Sequence, residues 1–289
     1  MLNKFRQYLI DHSEGSISNN TISAYLSDVR HFLIYIGSKE LSSIVSKDII
    51  GFIGQPTFKK PFRPCSTKTR RRRLSSVRVF FNFLLVEGIV TSNPTVFQRM
   101  KARQQKYIPL FLKPFEVQRV IDACGKNILS KTIVVLLFGT GIRLEEMRTC
   151  QLASVDLDKR EMKVLGKGNK ERYVPFSKEI VRKLQEYVSL REKFVKPDVT
   201  ELFVSGQGIP LTKNQIEYMF RKLSKYSGIV VRPHKLRHSF ATDAISRKMN
   251  PKSLQRILGH ESQVTTDWYT HIEPNIRDDY DRAYEPEAQ

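Results

Sequence analysis

What the 289-residue chain lacks narrows its class before any motif is considered. It has three cysteines, Cys65, Cys124 and Cys150, an odd number at wide spacing. They imply neither a disulfide framework nor a zinc site, and the expectation is a reduced, cytoplasmic protein. Long apolar runs are missing too. The longest, Ile133 to Phe138, stops at Gly139, far short of the roughly 20 residues that span a bilayer. The first residues, Met1-Leu2-Asn3-Lys4-Phe5, lead into polar sequence rather than a signal-peptide apolar core. There is no internal repeat and no long low-complexity segment. Acidic residues are in short supply: 29 against 49 basic ones, a formal net charge of +20. Such an excess repels itself in a compact chain and implies an anionic partner, of which nucleic acid fits better than a membrane surface.

The apolar fraction of 40% is ordinary and supports real cores, and the length accommodates two domains. In the first hundred residues, Ile22, Leu26, Val29, Leu33 and Ile36 share one helical face. Leu74, Val77, Phe81, Leu84 and Leu85 share another, with Gly88 as the stop. Just before that second helix stand Lys68, Thr69, Arg70, Arg71, Arg72 and Arg73. Cations at a helix start oppose the helix dipole, and bound phosphates would remove the conflict. Lys68 and the four arginines are therefore expected to contact DNA. Asn93-Pro94 closes the unit, and 101–109 (KARQQKYIP) reads as a basic linker. Residues 1–100 carry 15 basic and 6 acidic side chains and the remainder 34 and 23, so both halves are basic and both are expected to meet the DNA.

Helical patterning dominates from Pro114, over Asn214–Tyr226, Pro233–Arg247 and Pro251–Leu258. It is interrupted at 161–176 (EMKVLGKGNKERYVPF), where β-prone flanks around Gly166-Lys167-Gly168-Asn169 signal a hairpin.

Five places carry chemistry. Arg143, in Gly139-Thr140-Gly141-Ile142-Arg143, falls in a helix's first turn, where a cation is disfavoured unless an anion binds between it and the exposed amides. Lys167 sits alone at the hairpin tip, where an ammonium with a lowered pKa can act as a general acid. Pro233 at a first helical position puts His234 and Arg237 one turn apart on one face, a phosphate fork beside a titratable ring. A metal reading of His234 and His238 lacks a carboxylate or cysteine at suitable spacing, and Arg237 between them repels a cation; no metal is expected. Gly259 is a helix stop, leaving His260 just beyond a helix end. Tyr269 would need help as a nucleophile. Ionising a phenol of pKa about 10 at neutral pH costs about 4 kcal/mol, which arginines around a phosphate or a histidine accepting the proton would reduce. Taken singly, each place also has a structural explanation.

In order, TGIRLEEM, GKGNKERYVP, HKLRHSFAT and LGHESQVTTDWYTH resemble the boxes of the tyrosine recombinase family, which includes the Xer recombinases, phage integrases and Cre. The resemblance covers essentially the whole chain and is nearest to an Xer-like enzyme or a plasmid- or transposon-encoded resolvase. It implies that Arg143 and Arg237 clamp the scissile phosphate and that Tyr269 attacks it to give a 3′-phosphotyrosyl enzyme. It implies that Lys167 protonates the leaving 5′-oxygen, that His234 assists proton transfer, and that His260 holds the phosphate or the nucleophile. Glu146 matches the acidic position that supports the site, and neither ATP nor a metal is implied. The fold implied is mainly α in two domains. Residues 1–105 form a helical, SAM-like core-binding domain, and 106–289 a mostly helical catalytic domain with a small antiparallel sheet, together a C-shaped clamp. The partner implied is double-stranded DNA, with four protomers on two sites, a Holliday-junction intermediate, and room for a second recombinase or accessory protein. The segment after Tyr269 resembles a tail that docks on a neighbouring protomer. Two other readings compete. The hairpin and the two-domain length weigh against a type IB topoisomerase. A non-catalytic DNA-binding regulator would have no need of the catalytic set.

Overall fold

A computed structural model describes residues 1–12, 17, 19–56, 65–95, 111–166, 170–259 and 276–285. The chain divides into two compact units, 1–106 and 107–289. Among the described residues, no helix is long and apolar enough to cross a membrane.

The first unit is helical: α1 (Leu2–Asp11), α2 (Asn19–Ile36), a 3₁₀ turn (Leu41–Ser43), α3 (Ser46–Gly54) and α4 (Thr67–Val86). Its core is rich in phenylalanine. Phe5, Phe32, Phe80 and Phe81 are wholly buried, and Phe5 meets Phe80 edge-on at 5.2 Å between ring centres. The apolar stripe expected on α2 faces this core. On α4, Phe80 and Phe83 belong to the core, whereas Leu85, expected on that face, is exposed.

The basic run is not ahead of α4 but inside its first two turns, with Ser66 as the capping residue accepting from the Thr69 amide. This placement corrects the DNA-contact expectation for Arg73. Its side chain is buried, donates to the carbonyls of Phe52 and Gln55 at 3.3 and 2.6 Å, and lies over the Phe52 ring. It donates to carbonyls at the end of α3, where a cation is welcome. Arg72 is half engaged: its guanidinium donates to buried Asp28 at 2.6 Å, although 41% of the side chain stays exposed. Lys68 and Arg71 are exposed and Arg70 is half-buried.

The second unit contains α5 (Pro114–Asp122), α6 (Ile128–Thr140), α7 (Leu144–Arg148), β1 (Val155–Asp156), β2 (Glu161–Leu165), β3 (Glu171–Pro175), α8 (Lys178–Arg191), α9 (Lys213–Ser227), α10 (Pro233–Ser246), α11 (Pro251–Leu258) and α12 (Ile276–Tyr284). The strands form one antiparallel sheet in the order β1-β2-β3. From Ile133 to Gly139 helix α6 is apolar on every side because it runs through the core, packed between α8 and α10. The hairpin register pairs Met162 with Val174 and Val164 with Arg172, so these four share the sheet's inner face. Below the tip, the Gly166 amide donates to the Lys170 carbonyl at 2.8 Å. Helix α12 packs on α11 and β3 of its own chain, anchored by wholly buried Tyr280, whose hydroxyl donates to the Gly139 carbonyl at 2.7 Å.

Candidate active site

Four segments of the second unit converge on the C-terminal end of α11. The first is the turn between α6 and α7. Gly141 ends α6 with φ of +62°, a left-handed conformation that glycine adopts without strain. It leaves no room for a side chain either: a Cβ there would collide with the Phe240 ring and lie 2.9 Å from Leu258. This close approach of α6 to α10 and α11 brings Arg143 to the site. Arg143 is the residue capping α7, one position earlier than the first turn expected from sequence.

Glu146, in the first turn of α7, reaches back to the Arg143 amide with Oε2 at 2.8 Å. Its Oε1 accepts from Arg143 Nη1 at 2.8 Å. From the sheet, Arg172 closes on the same carboxylate with two parallel bonds, Nη1 to Oε1 at 2.9 Å and Nη2 to Oε2 at 2.8 Å. The Glu146 side chain is only 4% exposed. Burial raises its pKa, but the bonds from Arg172 and from the Arg143 amide and guanidinium outweigh this and bring it down to about 2. The carboxylate is therefore ionised throughout the physiological range.

Arg237 enters from α10. It is buried, and it donates to the Gly141 carbonyl at 2.6 Å and to the Leu258 carbonyl at 2.7 Å. Burial, helped by the charge of Arg143, lowers its pKa to about 10, which still leaves it a cation at neutral pH. His234 is exposed one turn earlier on the same helix, its ring stacked on His238 with centres 6.3 Å apart.

A pattern emerges at the end of α11. Its last carbonyls are taken in succession by three different arginines: Ile257 by Arg172 Nε at 2.8 Å, Leu258 by Arg237, and Gly259 by Arg143 Nη2 at 2.9 Å. These are the orphan acceptors of a helix C-terminus, at the end of the dipole that attracts cations. Gly259, at φ of +62°, is pressed against Arg172, whose Cζ would lie 3.0 Å from any Cβ placed there. The cluster thus binds together the α6–α7 turn, the sheet, α10 and the point where the chain leaves α11. With three guanidiniums and one carboxylate, it carries a net charge of +2. Arg143 faces outward, its side chain 35% exposed. Such a surface suits a tetrahedral oxyanion.

Of the residues proposed from sequence, Arg143, Glu146 and Arg237 therefore meet in one cluster, with His234 at the surface one turn away on α10. Lys167, His260 and Tyr269, like the 101–109 linker, lie outside the described residues. Among the described residues, no group of three or more histidine, cysteine, aspartate or glutamate side chains is placed to hold a metal. Arg172 was missed, although a signal was present. On β3 it shares parity with inward-facing Val174, and an arginine on the inner face of a strand requires a buried acceptor.

Comparison with known proteins agrees with this geometry. The sequence profile of the phage integrase family matches residues 95–275, and that of the phage integrase N-terminal SAM-like domain matches residues 2–88. Tyrosine recombinase XerC of Leptospira interrogans (strain Fiocruz L1-130) is 32% identical, in an alignment covering 97% of this chain and 92% of that protein. The Tn1549 transposon integrase, solved with a circular-intermediate DNA, superposes with a TM-score of 0.72 at 21% identity, covering 90% of this chain and 92% of that one. Lambda integrase, solved as a tetramer on a Holliday junction, gives 0.71 at 17% identity, covering 92% and 78%. The chain belongs to the phage integrase family and is a tyrosine-type site-specific recombinase.

Proposed function

We propose that the arginine cluster holds the scissile phosphate of a specific DNA site and that Tyr269 attacks it. The observation that carries this reading is the +2 cluster at the end of α11, from which the chain continues to His260 and, nine residues later, Tyr269. Arg143 and Arg237 donate to the two non-bridging oxygens and stabilise the charge that grows on them in the pentacoordinate transition state. The Tyr269 oxygen forms a bond to phosphorus as the bond to the 5′-oxygen breaks. The phenolic proton leaves through His234 or His260, and Lys167 donates a proton to the departing 5′-oxygen, which leaves as a hydroxyl. The bond energy is kept in the phosphotyrosyl ester, so the reverse attack by a second 5′-hydroxyl reseals the strand without a nucleotide cofactor.

Residues 1–105 serve as the core-binding domain and 106–289 as the catalytic one. Both contact the duplex, in keeping with the excess of basic residues in each. Lys68, Arg70 and Arg71 are the contacts retained from the basic run, with Arg72 contributing through its exposed part. Four protomers act on two sites, exchanging one pair of strands at a time through a Holliday junction; a relative solved in that state is a tetramer. The biological task is Xer-like resolution of chromosome or plasmid dimers, or the resolution or integration of a mobile element, carried out in the cytoplasm.

A nicked duplex carrying a candidate site from the encoding genome tests the reading. Incubation without metal followed by a denaturing gel should give a covalent protein–DNA band that Tyr269→Phe abolishes. A band that persists in that variant would assign the attack to another residue. Supercoil relaxation with no recombinant product would favour the topoisomerase reading instead.

A further inference from the structure

Resting on that reading of the site, we infer that Arg172 is a positioning residue whose task is to keep Glu146 from neutralising Arg143. A lone buried carboxylate 2.8 Å from Arg143 would cancel the charge that a phosphate needs. Arg172 prevents this by supplying a second cation to the same carboxylate. Its two terminal nitrogens bond one carboxylate oxygen each, so the acid is balanced from the sheet side and the positive charge of Arg143 remains uncompensated. Arg172 does not act on the substrate itself. Nε is committed to the Ile257 carbonyl and both terminal nitrogens to Glu146, and the side chain is 15% exposed. Among the described residues, Arg143 gives two of its five N–H groups to protein acceptors against three for Arg172, and its side chain is the more outward-facing, 35% exposed. Together with Arg237, the cluster presents +2 to a phosphodiester of charge −1 that becomes −2 in the transition state. Removing Arg172 lowers this to +1 and mismatches the transition state more than the ground state.

The test separates charge from shape. Single-turnover covalent cleavage is measured for the full chain and for Arg172→Met, on a phosphodiester substrate and on one with a methylphosphonate at the scissile position. The methylphosphonate carries one negative charge fewer throughout. On the phosphodiester, Arg172→Met should slow cleavage about 100-fold, the scale of losing one preorganised donor to a developing anion. On the methylphosphonate it should slow cleavage less than about 5-fold relative to wild type on that substrate. Adding Glu146→Gln to Arg172→Met should recover at least about tenfold on the phosphodiester, because the uncompensated acid is then gone. Equal losses on both substrates, no loss on either, or no recovery in the double variant would each overturn the inference. If Arg172→Met melts below the assay temperature, Arg172→Lys takes its place, and its smaller loss must still be confined to the phosphodiester. A wild-type chain that forms no adduct at Tyr269 overturns the reading of the site, and this inference with it. A wild-type adduct with an indifferent Arg172 overturns the inference alone.

Discussion

Replacing Glu146 by glutamine removes one negative charge from the centre of the cluster while nearly preserving its shape. Its worth to the fold follows from two routes. The carboxyl titrates at about 2 in place of its ordinary 4.5, and at about 1.4 kcal/mol per tenfold change in proton affinity this amounts to about 3 kcal/mol. Removing one partner of a buried ion pair costs about 3–5 kcal/mol, so the two routes agree. The pH dependence has a definite sign. A carboxyl whose folded pKa is depressed contributes stability that is fully present above its unfolded pKa and disappears as pH falls towards the folded value. The wild-type advantage over Glu146→Gln should therefore be about 3 kcal/mol at pH 7 and essentially the same at pH 6. It should shrink to roughly 1.5 kcal/mol by pH 3. Urea titrations read by circular dichroism, and fitted as one transition for each unit, would show this in the transition of residues 107–289 alone. A difference below about 1 kcal/mol at pH 7, or one that does not narrow between pH 5 and pH 3, would refute the reasoning.

Four further outcomes are expected. Arg73→Met should destabilise residues 1–106 by about 2–4 kcal/mol, since several carbonyls at the end of α3 lose a charged donor, and should leave the salt dependence of DNA binding unchanged. Arg71→Ala should do the opposite, with little effect on stability, weaker binding to every DNA sequence alike and a salt slope smaller by about 1; unfolding curves and binding isotherms at several salt concentrations distinguish the two. Gly141→Ala combines a left-handed backbone with a side chain driven into Phe240 and Leu258 and should cost about 2–4 kcal/mol, read as a lower melting temperature. Tyr280→Phe leaves the Gly139 carbonyl without its donor and should cost about 1–2 kcal/mol; hydrogen exchange over α12 would report whether that helix loosens first.

Much of the architecture was legible because it rests on local rules. The α2 stripe, the stop at Gly259, Pro233 opening α10 and the hairpin around Gly166 all follow from periodicity and turn chemistry. The basic run shows where such reading needs a second step. Four consecutive residues on a helix, each turned about 100° from the last, cannot share one face. Arg73 stands four residues before Val77 and seven before Phe80, which puts it on the core stripe, so its burial was implied by the same spacing that identified α4. Asp28, the acceptor for Arg72 and Ser76, had no comparable signal, because helix pairing is settled by tertiary packing. The same limit applies to the site. The boxes marked Arg143 and Arg237, but nothing in their spacing indicated that successive carbonyls of α11 would hold them.

That choice of acceptor has a physical consequence. An arginine that must meet a phosphate needs its side chain fixed, and the usual means, a carboxylate, would consume the charge the site depends on. Backbone carbonyls at a helix C-terminus fix the guanidinium without neutralising it, and the helix dipole offsets part of the cost of burying a cation there. Arg237 takes this solution fully: its described acceptors, Gly141 and Leu258, are both uncharged, and its burial is registered in a pKa lowered to about 10. Arg143 takes it in part, sharing Glu146 with Arg172 and giving its other terminal nitrogen to Gly259. A single acid can then lock the α7 turn to the sheet without disarming the site, provided a third arginine balances it. On the proposed function, the requirement that the cluster remain cationic, more than any single contact, accounts for three arginines on the last carbonyls of one helix, immediately before the segment that carries His260 and Tyr269.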